Sequence, residues 1–154
     1  MAHGLPDWYR GVDIAYQALS ELITRPTYGG AIGSSGSKTV YANNTVTLIN
    51  ISGQGMIYGI YVRVSHTATQ RDSGVRLELD SNLLFDESFA DLNTYGISYP
   101  RGYPLTLSKY DDTNFDYCVL IPYGLTFESL INLRYREEHG RTPDVYYSVV
   151  YALI

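Results

Sequence analysis

The chain has 154 residues, 45% of them hydrophobic and 18% charged, which is the size of one domain and the balance of a globular rather than a disordered protein. A formal net charge of -5, with the one basic stretch from Arg134 to Arg141 diluted by Glu137 and Glu138, excludes a surface built to neutralise phosphates. A single cysteine, Cys118, excludes an internal disulfide framework and any Cys-x-x-Cys metal or redox motif, so stability must come from packing or assembly.

Residues 7 to 24 carry the one strong helical pattern. Asp7 stands where a cap belongs, Pro6 precedes it and Pro26 lies just beyond the end. Trp8, Val12, Ala15, Leu19 and Leu22 follow a 4-3-4-3 spacing that lays them along one stripe. That stripe must be covered, either by the chain's own β-domain or by a neighbouring subunit. Tyr28-Gly29-Gly30-Ala31-Ile32-Gly33-Ser34-Ser35-Gly36-Ser37 is nearly uncharged and poor in packing groups, and reads as a flexible linker able to carry the helix about 15 to 20 Å.

From Lys38 onward the pattern is β. Val46 and Leu48, then Ile60, Val62 and Val64, then Val75, Leu77 and Leu79, then Leu105 and Leu107, then Phe115, Tyr117, Val119 and Ile121, then Ile131, Leu133 and Tyr135 repeat every second residue. That period marks strands with one buried face. Asp80-Ser81-Asn82 reads as a hairpin loop, Gly53-Gln54-Gly55 as the opening of a long strand, and Asp111 to Asn114 as a further turn. Asp86 to Tyr95 reads as a short helix with Phe89 and Leu92 inward and Gly96 at its end. Val145 to Ile154 is apolar on both faces, as in a strand central to a sandwich or covered by a partner. The expected fold is all-β: an antiparallel β-sandwich, jelly-roll-like, with an N-terminal α-helical arm. Its divisions are an arm over 1–28, a Gly/Ser linker over 29–37 and a β-sandwich over 38–154.

Chemical motifs are sparse. Asp112-Thr113-Asn114-Phe115-Asp116 opens like a calcium loop, but Tyr117 and Tyr123 stand where Gly and Glu are required, so a polar hairpin is the better reading. His3, His66 and His139 have no zinc-ligand spacing. Cys118 is read as an apolar filler rather than a nucleophile. No catalytic residue, metal or cofactor is expected. Sixteen tyrosines are too many for one small core, and Tyr suits protein interfaces and carbohydrate contacts. No stretch reaches the roughly 18 apolar residues of a membrane span, and the N-terminus lacks the pattern of a signal peptide, so the expectation is cytoplasmic synthesis with neither membrane nor nucleic acid as partner.

Leu5-Pro6-Asp7-Trp8 opening the helix, Arg25-Pro26-Thr27-Tyr28-Gly29 closing it, and Gly55 to Gly59, Lys109 to Asn114 and Tyr123 to Glu128 together resemble small β-sandwich virion structural proteins of phages and related viruses. That resemblance implies a capsid, decoration or spike subunit assembled in the host cytoplasm and found in the virion, and it carries over no catalytic residue. The leading expectation is a non-enzymatic subunit that forms a homo-oligomer, a trimer, and joins other virion proteins. Its assembly contacts would be Trp8, Val12, Ala15, Leu19 and Leu22 on the arm and Tyr147, Val149 and Tyr151 on the last strand. The alternatives are a carbohydrate- or surface-binding module, using Tyr99, Tyr103, Tyr110, Asp112 and Asn114 on glycans, and an extracellular filament subunit.

Overall fold

The structure is a computed structural model and describes residues 29–97, 105–121 and 124–154. The helix expected over 7–24, with Trp8, Val12, Ala15, Leu19 and Leu22, lies outside the described residues, as do Tyr99 and Tyr103. In chain order the elements are β1 (Ile32–Thr39), β2 (Thr45–Ser52), β3 (Gly55–Ser65), β4 (Gly74–Leu79), β5 (Asn82–Ser88), α1 (Phe89–Thr94), β6 (Thr106–Asp111), β7 (Asp116–Ile121), β8 (Leu125–Phe127), β9 (Leu130–Arg136) and β10 (Asp144–Leu153).

The strands form two antiparallel sheets. The larger runs β1-β10-β3-β7-β6, with β8 pairing the start of β3, and the smaller runs β2-β9-β4-β5. Inward-facing side chains of both sheets make one core. Ile60, Val62 and Val64 of β3, Tyr117, Val119 and Ile121 of β7, Val75 and Leu77 of β4, and Ile131, Leu133 and Tyr135 of β9 are all buried in it, the set that period-two alternation selects. In β2 the alternation breaks because its pairing with β9 shifts register between Thr47 and Ile49. The bulge turns both Leu48 and Ile49 inward.

Local chemistry sets the connections. Asp80 and Ser81 both have positive φ, 51° and 69°, which is the backbone of a two-residue hairpin turn matched to strand twist. Asp86 to Ser88 continue β5, so the helix begins later than its sequence pattern suggests. The Ser88 hydroxyl accepts from the Asp91 amide at 3.0 Å, an N-cap that starts α1. Phe89 and Leu92 face inward, and Gly96 at φ 66° follows the last turn. Phe115, expected in a strand, instead sits at φ 53° in the β6–β7 turn.

One expectation needs correction. Residues 32–39 are strand, not linker: β1 pairs with β10 over eight consecutive positions, from Ile32↔Tyr151 to Thr39↔Asp144. Gly and Ser have poor strand propensity, but the backbone of β10 supplies a pairing template that does not read side chains. The last strand is interior to its sheet. β10 lies between β1 and β3, and its pairing with β3 sets Val145 opposite Val64, Tyr147 opposite Val62 and Val149 opposite Ile60. Tyr147, Val149 and Tyr151 therefore point toward the other sheet, with Val149 only 1% exposed and Tyr147 and Tyr151 partly buried against the core. Tyr146, Ser148 and Val150 are the residues that face outward.

Candidate assembly surfaces

The outer faces of the two sheets differ in chemistry. On the four-stranded sheet, arginines and acids alternate across β4, β5 and β9. Arg76 pairs with Glu78 at 2.5 Å and Asp86 at 3.7 Å, Arg134 with Glu78 at 3.6 Å, and Arg136 with Asp86 at 2.7 Å and Glu138 at 2.6 Å. Arg76 stands directly opposite Arg134, and the interleaved acids offset that like-charge pairing. This is a face suited to water.

The six-stranded sheet is charged at one end of its outer face only. There Asp116, whose side chain is 7% exposed, accepts from Arg63 Nε at 2.8 Å, Arg63 Nη2 at 2.9 Å and Lys109 Nζ at 2.5 Å. These bonds, the Arg63 pair first, hold its carboxyl down at about 2 against the opposing effect of burial. A folded-state value below the unfolded one near 3.9 means the stabilisation is present above pH 4 and is lost as pH falls toward 2. Asp116→Asn is expected to cost about 2 kcal/mol at pH 7. It should also flatten the acid limb of stability between pH 4 and 2, as measured by urea unfolding at each pH. Cys118, its neighbour on this face, is a buried free thiol whose ionisation burial pushes upward.

At the other end the face is apolar. Tyr58, Tyr61, Leu120, Ser148 and Val150 surround a depression of about 410 Å³ over Gly59. Tyr58 is 43% exposed and Val150 41%.

The sheet edges differ as well. An edge strand presents unpaired backbone groups, and proteins commonly guard it with charge, proline or a bulge. Among the described residues four of the five edge strands are guarded, β8 by being only three residues long. β2 carries the register shift at Thr47/Ile49. β5 is shifted against β4 at Leu77/Glu78 and carries Asp86 and Glu87. β6 is shifted at Leu107/Lys109 and carries Lys109 and Asp111. β1 keeps an unbroken register, has no proline, and has one charged residue, Lys38. That lysine is turned away from the edge: its Nζ donates to the Thr47 carbonyl at 2.5 Å and lies 5.9 Å from the Tyr147 ring centroid. Among the described residues β1 has no second neighbour.

Of the residues singled out for glycan contact, Tyr110, Asp112 and Asn114 lie in and beside the β6–β7 turn, and Tyr99 and Tyr103 lie outside the described residues. Tyr110 is half-buried, edge-on to Tyr117 with ring centroids 5.3 Å apart. Asp112 accepts from the Tyr117 hydroxyl at 2.5 Å and from Thr69 Oγ1 at 3.0 Å, and lies 3.7 Å from Arg71. These two hydroxyl bonds, Tyr117 first, lower its carboxyl, while burial and the same bond push the Tyr117 phenol up to about 12. Asn114 donates through its side chain to Asp111 Oδ2 at 2.8 Å, and the Thr113 and Asn114 amides donate to Asp111 Oδ1 at 3.1 and 2.9 Å. The calcium-like stretch is thus a turn whose backbone is satisfied by its own aspartate. Sequence reasoning missed the guardless edge and the depression. Gly59 inside a strand pattern was a signal for the second, since a glycine there leaves a gap in the sheet surface.

No protein-family model and no curated protein sequence matches the chain. Among solved structures, it is similar to the crystal structure of the serine protease of Aeromonas sobria in complex with its chaperone, with a TM-score of 0.37 and 12% identity over 90% of this chain and 30% of that one. It is also similar to the same serine protease crystallised alone, with a TM-score of 0.34 and 10% identity over 89% of this chain and 29% of that one. The chain thus spans less than a third of the proteins it matches, and scores this low carry no argument about fold or function.

Proposed function

We propose that this chain is a non-enzymatic structural subunit of a viral particle, a capsid, decoration or spike protein, that associates with copies of itself through the open edge of β1. The observation that carries the reading is the contrast among sheet edges: among the described residues β1 is regular over eight pairs and unguarded, while every other edge is bulged or, in β8, only three residues long.

A jelly roll is the finer fold reading. With β6 and β8 set aside, the pairs β4–β5, β3–β7, β2–β9 and β1–β10 are nested, as in one long hairpin rolled so that its strands divide between two sheets. Jelly rolls of eight strands recur in viral capsid domains and lectins, which fits the virion proteins that the sequence resembles. Two β1 strands joined antiparallel make a self-complementary two-fold contact that closes on itself, so the proposed unit is a dimer or a multiple of one rather than the trimer expected from the sequence.

The test is the solution mass by light scattering of the full chain and of Gly33→Lys/Ser35→Lys. A Cβ at Gly33 meets nothing within 4 Å and Ser35 is exposed, so both side chains fit. Each would set like charges against its counterpart across the paired edge. The expected result is an even-numbered oligomer for the parent and a monomer for the variant that still unfolds cooperatively, at the midpoint the parent reaches on dilution. A monomeric parent, or an oligomer indifferent to both lysines, overturns the reading.

A further inference from the structure

The apolar depression on the six-stranded sheet is uncovered among the described residues, and the sequence supplies an apolar stripe in search of a cover. We propose that residues 7–24 of the same chain seat on this face, with the stripe of Trp8, Val12, Ala15, Leu19 and Leu22 over Tyr58, Tyr61, Leu120 and Val150. This makes the arm an internal part of the subunit rather than its assembly device, and goes beyond the self-association reading.

The first described residue, Gly29, stands beside this sheet. The Gly29 amide donates to the Leu153 carbonyl at 2.7 Å, which fixes that point beside the end of β10. Val150, on the rim of the depression, precedes Leu153 by three residues, about 10 Å along a strand. From Thr24 to Gly29 the backbone spans at most about 18 Å, enough to bring the end of the arm over its own sheet. The ten-residue tether that would carry the arm farther does not exist, because Ile32–Thr39 is β1. A site always within reach on the same chain is also met at an effective concentration of about millimolar, ahead of the same site on a neighbour.

Dimensions agree. The face from β10 across β3 and β7 to β6 is about 15 Å wide at strand spacing, and a helix with its side chains is about 10–12 Å across. The other sheet's outer face, laced with arginine and acid, offers no comparable seat.

Trp8, the one tryptophan of the chain, reports the outcome through its fluorescence. The full chain is compared with Gly59→Leu and Val150→Asp. A Cβ at Gly59 meets only the Ile121 carbonyl, at 3.5 Å, so leucine fills the depression without charge or backbone strain, and it covers the case in which the aspartate variant fails to fold. The expected result is blue-shifted Trp8 emission in the parent that persists on dilution past the point where light scattering reports monomer, and loss of the blue shift in both variants. Solvent-like emission in the parent overturns the proposal, as does a blue shift that survives Gly59→Leu. A blue shift that fades on dilution together with the oligomer also overturns it, and assigns the depression to a neighbour's arm. A parent that is monomeric at every concentration with Trp8 buried sinks the self-association reading alone and leaves the seated arm standing.

Discussion

Phe89→Ala is expected to lower stability by about 3–5 kcal/mol, the largest effect of any single truncation in this fold. Phe89 is 0% exposed. Its ring stacks on Tyr117 of β7 at 5.3 Å and 19° and tilts against Tyr135 of β9 at 6.4 Å and 42°, so it touches both sheets from the start of α1. Its amide donates to the Ser73 carbonyl, which anchors the start of the helix to the residue just before β4. Truncation leaves a hole lined by two aromatic rings whose own hydroxyls are tied: Tyr117 to Asp112 and Tyr135 to Gln70 at 3.2 Å. Rings so restrained cannot swing in to fill the space, which is the condition under which a cavity is most costly. The check is urea unfolding. The midpoint should fall with an unchanged denaturant slope, and a loss below about 1 kcal/mol would mean that the site collapses around the deletion.

Glu137→Ala is expected to cost about 3 kcal/mol or more, through hydrogen bonds rather than volume. The residue is 1% exposed, yet no cation meets its carboxylate among the described residues. It accepts four backbone amides instead: Asn43 at 2.7 Å, His139 at 2.8 Å, Gly140 at 3.1 Å and Arg141 at 3.1 Å. Burial pushes the carboxyl up, and the four amides outweigh it and hold the group below its ordinary value. The side chain thereby ties the β9–β10 loop to the β1–β2 loop, and alanine leaves four donors without their partner. Glu137→Gln keeps the shape and one carbonyl oxygen, so its loss should be intermediate. Because the folded-state value is lowered, the stabilisation is present above the unfolded value near 4.3 and is lost as pH falls. Glu137→Gln should therefore lose stability at neutral pH and approach the parent in acid. Parallel pH profiles for parent and variant would contradict this assignment.

Much of the sandwich was legible where one face of a strand is apolar and the other polar. Ile60, Val62 and Val64 against Arg63 and Ser65 leave one choice of buried face, as do Ile131, Leu133 and Tyr135 against Asn132 and Arg134. β10 defeated the same logic because Tyr146 and Val150 are as apolar as Tyr147 and Val149. Its orientation is decided by pairing with β3, which sequence periodicity does not contain. β1 was hidden for a different reason: glycine and serine carry no strand signal, and the strand exists because β10 offers it a partner. β8 is three residues long, below the length at which alternation can be recognised. The open edge, the feature on which the functional reading rests, emerges only when the edge strands are compared in register. The turn chemistry at Asp80-Ser81 and Asp111 to Asn114 was readable from residue type alone, since aspartate and asparagine bond their own backbone.

The most direct measurement of the central claim is amide hydrogen exchange across β1 in the full chain at concentrations above and below the association range. In an edge strand every second amide bonds the inner neighbour and the rest face solvent. If β1 pairs with β1 of a second copy, the outward amides between Ile32 and Thr39 should be protected in the assembled state, should exchange rapidly on dilution, and should exchange rapidly at all concentrations in Gly33→Lys/Ser35→Lys. Outward β1 amides that exchange freely in an intact oligomer would contradict the account and place the contact on another surface.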